Sequence, residues 1–153
     1  MRLALIGLLL CSVAVADDEL DLAFERDVLV ISASAHACHR FDIYLAVDRD
    51  QQRRGLMHVR SLPATTGMLF VYEGEYGRSM WMKNTLIPLD IVFAHADGRI
   101  SSVAKNTEPQ SLQSIASIGP VKYVLELNAG TTDRLDIDEN SRLLWGDTYG
   151  FVE

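Results

Sequence analysis

Cysteine, proline and positive charge are all scarce in this chain, and each scarcity closes off a class of protein. Two cysteines among 153 residues cannot staple a disulfide-built mini-protein. Four prolines and ten glycines, without a three-residue period, exclude a collagen-like rod. Lys and Arg number 14 against 21 Asp and Glu, a formal net charge of −7. General nucleic-acid binding therefore lacks its electrostatic footprint, and no nucleic-acid partner is expected. No G-x-S-x-G, H-E-x-x-H, P-loop or dinucleotide fingerprint occurs, so no cofactor is expected and the best-known hydrolase routes lack their marks. What is present is 48% hydrophobic and 23% charged residues, enough for one globular domain with a real core.

Long apolar runs are also few. The main one, LALIGLLLCSVAV at residues 3–15, is shorter than the roughly 20 residues a spanning helix needs. Arg2 precedes it, Ala14-Val15-Ala16 supplies a small-x-small pattern, and Asp17-Asp18-Glu19 opens an acidic segment. This reads as a Sec-type signal peptide, residues 1–16, cleaved after Ala16. Lipid attachment at Cys11 is disfavoured by Leu10 before it. A periplasmic or secreted protein without stable membrane insertion is expected. Cleavage removes Cys11 and leaves Cys38 as the one thiol, so stability must come from packing.

Residues 17–27 are charged and mixed, and are read as a flexible arm; a single domain is expected over 28–152. Within it the spacing predicts strands at Val28–Ile31, Phe41–Val47, Met68–Tyr72, Ser79–Lys83, Asp90–Ala94, Ile100–Lys105 and Tyr123–Leu127. Phe41, Ile43, Leu45 and Val47 fall on one face of the second. Asp48–Met57 suits a short helix, capped by Asp48 or Asp50 and terminated near Gly55. His95–Arg99 carries an Asp-Gly hairpin turn. Thr107–Pro120 reads as a long surface excursion, Thr131–Leu135 as a short helix, and Leu143–Val152 as one or two closing strands. Many short strands with one or two short helices give a mainly β fold, a barrel or sandwich.

Four segments carry a resemblance: RRGLMHVRSLP (Arg53–Pro63), GMLFVYE (Gly67–Glu73), MWMKNTLIPLDIVFAHADGRI (Met80–Ile100), and NTEP with YVLELNAG (Asn106–Pro109, Tyr123–Gly130). In this order and spacing they resemble the domain-of-unknown-function family 192. The resemblance implies a small, mostly β, jelly-roll-like or barrel domain, often exported in bacteria, and implies no established activity. The resemblance implies, from many members of that family, a cysteine soon after the Glu-Pro pair; Gln110 stands there in this sequence. A thiol-based role in that loop is accordingly not expected.

The Trp81-Met82-Lys83-Asn84-Thr85 run is the leading candidate surface. On a strand, Trp81 and Lys83 share one face and Met80, Met82 and Asn84 the other. An aromatic plate beside a cation suits stacking or an anionic group; sheet packing is the bland alternative. Asp90, Glu108 and Glu126 are the carboxylates within the resembling blocks. A desolvated acid among them could serve as a general acid or base, or sit in a structural ion pair with Lys83, Arg53, Arg54 or Arg60. His36-x-Cys38-His39 falls short of a four-ligand zinc set. Met80 and Met82 offer two thioethers for Cu(I), with core packing the commoner fate of such residues. The expected role is a binding or accessory module for an unidentified small molecule or protein. An enzyme built on those carboxylates near Trp81 and Lys83, or copper handling through Met80 and Met82, are the alternatives.

Overall fold

A computed structural model describes residues 16–33 and 37–146. The signal segment up to Val15, His36 and residues 147–153 lie outside the described residues, and with them the end of the closing segment. Seven strands form one sheet: β1 (Glu25–Ser32), β2 (Cys38–Ala46), β3 (Thr66–Met80), β4 (Leu89–Ala94), β5 (Ile100–Ala104), β6 (Ile115–Asn128) and β7 (Arg142–Leu144). Their order is β5-β4-β6-β3-β2-β1-β7. β2 and β3 run parallel, and every other neighbouring pair is antiparallel.

The sheet nearly closes on itself. An isolated bridge joins Arg99 to Arg142, the Leu143 amide donates to the Gly98 carbonyl at 2.8 Å, and the Ile100 amide to the Ser141 carbonyl at 3.3 Å. Gly98 turns the predicted hairpin at a φ of +81°, and a Cβ there would collide with the Leu143 carbonyl oxygen. The mainly β expectation holds, in its barrel form.

Strand alternation divides the buried residues into two layers. Leu29, Ile43, Leu69, Val92, Leu125 and Leu143 belong to a cluster drawn from all seven strands, the barrel interior. Phe41 and Leu45 join it as predicted, whereas Val47 lies past the strand end and is exposed. Met68, Phe70, Ile91, Phe93 and Val124 face the other way, into a second core. Its cover comes from α1 (Ala16–Ala23), Phe24 just after it, and the chain that follows α2 (Arg49–Arg54), through Leu20, Leu56, Val59 and Leu62.

Three sequence expectations are corrected. The arm at 17–27 is instead helix α1 and the start of β1. Leu20 and Phe24 are buried beneath it, Arg54 pairs with Glu19 at 2.8 Å, and the Tyr44 hydroxyl donates to Asp21 at 3.0 Å. The strand at 79–83 ends at Met80, because Lys83 and Asn84 form a turn in which Asn84 takes a φ of 57°. The excursion at 107–120 is shorter: from Ile115 the chain is already β6, 14 residues long and paired with the 15-residue β3. Register shifts between Val71 and Tyr76 and between Gly77 and Ser79 let this ribbon carry Gly119 and Pro120, residues that read as breakers.

Candidate functional site

α2 forms where the sequence places it. Asp48 caps it, accepting from the Asp50 and Gln51 amides at 2.9 and 2.8 Å, and the Gln51 side chain returns to the cap backbone. Gly55 ends it at a φ of +48°, with its amide on the Gln51 carbonyl at 2.8 Å. That glycine is also a close approach, since a Cβ would come within 3.1 Å of the Phe70 ring. The end of the helix is thereby laid directly over β3.

Between this helix end, the end of β3 and the turn at 82–85 lies a cavity of about 100 Å³. Phe70, Tyr72, Met57, Met80 and Trp81 supply its apolar wall; Arg53 and Arg54 line it from the helix, and Glu126 lines it from β6. Ser79, Thr85 and Gln52 add polar groups. The turn is held from both sides. The Thr85 amide donates to the Met82 carbonyl at 3.0 Å, the His58 amide to the Asn84 carbonyl at 2.9 Å, and the Met82 amide to the Ser111 carbonyl at 3.1 Å.

Glu126 is the unusual member of this set. Its register partners are Met68 on β3 and Ile91 on β4, both in the outer core. It is 4% exposed, and Oε2 is buried without a hydrogen-bond partner. Desolvation pushes its pKa up to about 8, which favours the protonated form at neutral pH. The nearby Tyr72 phenol is also raised, chiefly by burial; Arg78 opposes this and Glu126 adds to it. The Arg78 guanidinium lies over the Tyr72 ring at 3.9 Å. Arg54 is tied to Glu19 and lies over Phe24 at 5.5 Å. Arg53 has only an exposed contact to Asp50 at 3.4 Å.

The predicted candidates therefore separate. Arg53, Arg54, Trp81 and Glu126 meet in the cavity. Trp81 is 47% exposed, and the Lys83 ammonium sits 5.0 Å from its ring centroid, so that pair also meets, through a turn rather than a strand face. Lys83 and Asn84 are exposed; Asn84 donates to the Met57 sulfur at 3.8 Å. Glu108 is exposed on the loop before β6.

Asp90 points to the opposite face of the sheet from Glu126. It accepts from the Asn106 amide at 2.9 Å and from the amide and hydroxyl of Thr132 at 2.9 and 2.8 Å. Met80 lines the cavity, while Met82 is fully buried and takes the Thr107 hydroxyl on its sulfur at 3.2 Å. Cys38 is exposed at the start of β2, and His39 is half-buried on that strand. Among the described residues no three His, Cys, Asp or Glu side chains are grouped to hold a metal ion.

Sequence reasoning missed Phe70, Tyr72 and Met57 as parts of the wall. The clue was Gly55, whose role as helix terminator hid its second role as a point of contact with β3.

The fold as a whole has counterparts among known proteins. A family model for DUF192, described as "Uncharacterized ACR", matches residues 30–145. The chain belongs to this family. Among solved structures, a protein of Sinorhizobium meliloti 1021, described as a candidate transcription regulator, is 39% identical with a TM-score of 0.77; the match covers 78% of this chain and 93% of that one. A protein of unknown function from Novosphingobium aromaticivorans DSM 12444 is 31% identical with the same TM-score of 0.77, over 80% of this chain and 86% of its own. No curated protein matches the chain. The DUF192 domain here contains no helix among its described residues long and apolar enough to cross a membrane.

Proposed function

We propose that this DUF192 protein is an exported binding module that seats one small ligand, or the end of a larger one, in the cavity above Glu126. The observation that carries this reading is an acid buried without a hydrogen-bond partner in the wall of an aromatic-lined hollow. A lone buried carboxyl is costly unless something compensates it, and a fold under no other demand would place an apolar side chain there. Ligand sites have this composition: apolar walls and a few convergent polar groups. Export rests on the apolar run with Ala14-Val15-Ala16 at its end.

The excess of acids over bases supports a small-molecule ligand over the nucleic acid that the Sinorhizobium neighbour's description would bring. Copper handling draws less support, because Met82 is turned into the core and hydrogen-bonded there.

The test is amide NMR of the full chain against a fragment set of small carboxylates, polyols and amines. Shifts should gather at residues 52–57, 79–85 and 126. Shifts confined to another face of the barrel would overturn the reading. Turnover of a fragment, lost in Glu126→Gln with the fold intact, would replace it with an enzymatic one.

A further inference from the structure

The cavity's chemistry narrows the ligand class, an inference that rests on the binding reading above. We infer that the group seated on Glu126 is a carboxylate, held by a hydrogen bond to that side chain in a cavity whose helix side is lined by Arg53 and Arg54.

Three features point the same way. First, Glu126 lines the cavity with Oε2 buried and unpartnered; such burial favours the protonated form, and a protonated carboxyl is a hydrogen-bond donor. An O–H donor facing an ionised oxygen makes one of the stronger hydrogen bonds available to a protein. Second, the ionised groups at the site are cationic. Arg53 and Arg54 line it, and Lys83 lies on Trp81, which forms part of the wall. Arg54 is neutralised by Glu19, whereas Arg53 is largely exposed and, among the described residues, pairs with exposed Asp50. An ammonium ligand would meet like charges at the entrance and a protonated acid at the base. Third, the hollow is small. Its volume of about 100 Å³ lies below that of pockets for drug-sized ligands and suits a carboxylate head on a short chain. Phe70, Tyr72 and Met80 give those carbons apolar contact.

The complex then holds one proton across two carboxyls, and the pair titrates as a unit. The groups facing it are Tyr72 from β3, Arg53 and Arg54 from α2, and Arg78 beyond the Tyr72 ring. The arginines carry fixed charge and the tyrosine, raised above its ordinary value, stays neutral. Between the ordinary ligand carboxyl range, near 4 to 5, and about 8 the proton count is right for binding. Above about 8, Glu126 loses its proton and affinity falls about tenfold per pH unit.

Titration calorimetry of the full chain tests this with acetate, propionate, ethylene glycol and ethylammonium at pH 6 and pH 9. The carboxylates should bind at pH 6 and weaken about tenfold by pH 9. Glu126→Gln, whose amide donates at any pH, should bind them equally at both. Arg53→Gln should weaken the carboxylates a few-fold and retain the pH dependence. Should Glu126→Gln fail to fold, the pH dependence of the unaltered chain and the Arg53→Gln comparison still decide the matter. Preferential binding of the glycol, binding of ethylammonium that strengthens at pH 9, or carboxylate affinity indifferent to pH would each overturn the inference and leave the binding reading in place. Absence of binding by all four probes, with no amide shift at the cavity, would sink both.

Discussion

Two carboxylates lie buried in one sheet, on neighbouring strands and opposite faces, and they live under opposite rules. Asp90 faces the barrel interior and is met by three donors from Asn106 and Thr132. Glu126 faces the outer core, lines a cavity, and has an oxygen that nothing meets. Both are almost wholly excluded from water, so burial alone does not distinguish them. The number of donors does. Asp90 is a structural anchor that ties the loop after β5 and helix α3 (Thr131–Arg134) to β4. Glu126 Oε2 has no such partner among the described residues.

The contrast is sharpest in pH dependence. Glu126 is neutral when folded up to about pH 8, but in the unfolded chain it ionises near 4.5. Its folded pKa lies above its unfolded one, so ionisation favours the unfolded chain. The associated destabilisation is absent below about pH 4.5, grows through the window to about 8, and is then constant. Its ceiling is about 5 kcal/mol, taking 1.36 kcal/mol per pH unit. Glu126→Gln should therefore match the parent near pH 4.5 and exceed it by several kcal/mol at pH 9. Chemical denaturation at the two pH values measures this, and equal stability at both would erase the contrast.

Asp90→Ala should cost about 3–4 kcal/mol at neutral pH, because three donors, the two on Thr132 buried, lose their acceptor together. A loss under 1 kcal/mol in urea unfolding would mean that the Asp90 network is not an anchor. Thr132→Val removes one of the three donors and should cost about 1–2 kcal/mol, with ligand affinity at the Glu126 cavity unchanged. At the other site the pattern should reverse. Trp81→Ala, at a half-exposed residue, should cost under about 1 kcal/mol in stability yet weaken ligand binding about tenfold. Lys83→Ala should move stability by no more than about 0.5 kcal/mol.

Much of this was legible in the sequence because it is local. Asp48 and Gly55 mark the ends of α2 through side-chain and backbone chemistry within a few residues. The Asp-Gly turn at Gly98 is equally self-contained. The long β3–β6 ribbon was not legible, since Gly74, Gly77 and Pro120 break the pattern that bulges and cross-strand pairing then repair. Leu20 and Phe24 were hidden among acidic neighbours, and only the core that receives them shows why they are there. The same limit applies to the site. Trp81, Lys83, Asp90 and Glu126 stood out by type and setting, but no spacing along the chain says that Asp90 and Glu126 look in opposite directions.

The scarcities that opened the reading kept their meaning. With one exposed thiol among the described residues and no disulfide framework, the chain relies on two apolar layers, one on each face of its sheet. Composition and strand spacing determined a mainly β domain, because alternation and turn chemistry act within a few residues of themselves. Only the tertiary structure decided which acid is anchored and which is left open. Hydrogen-bond donors to a buried carboxyl come from wherever the fold brings them: Asp90 draws its own from 16 and 42 residues away, and Glu126 Oε2 draws none among the described residues.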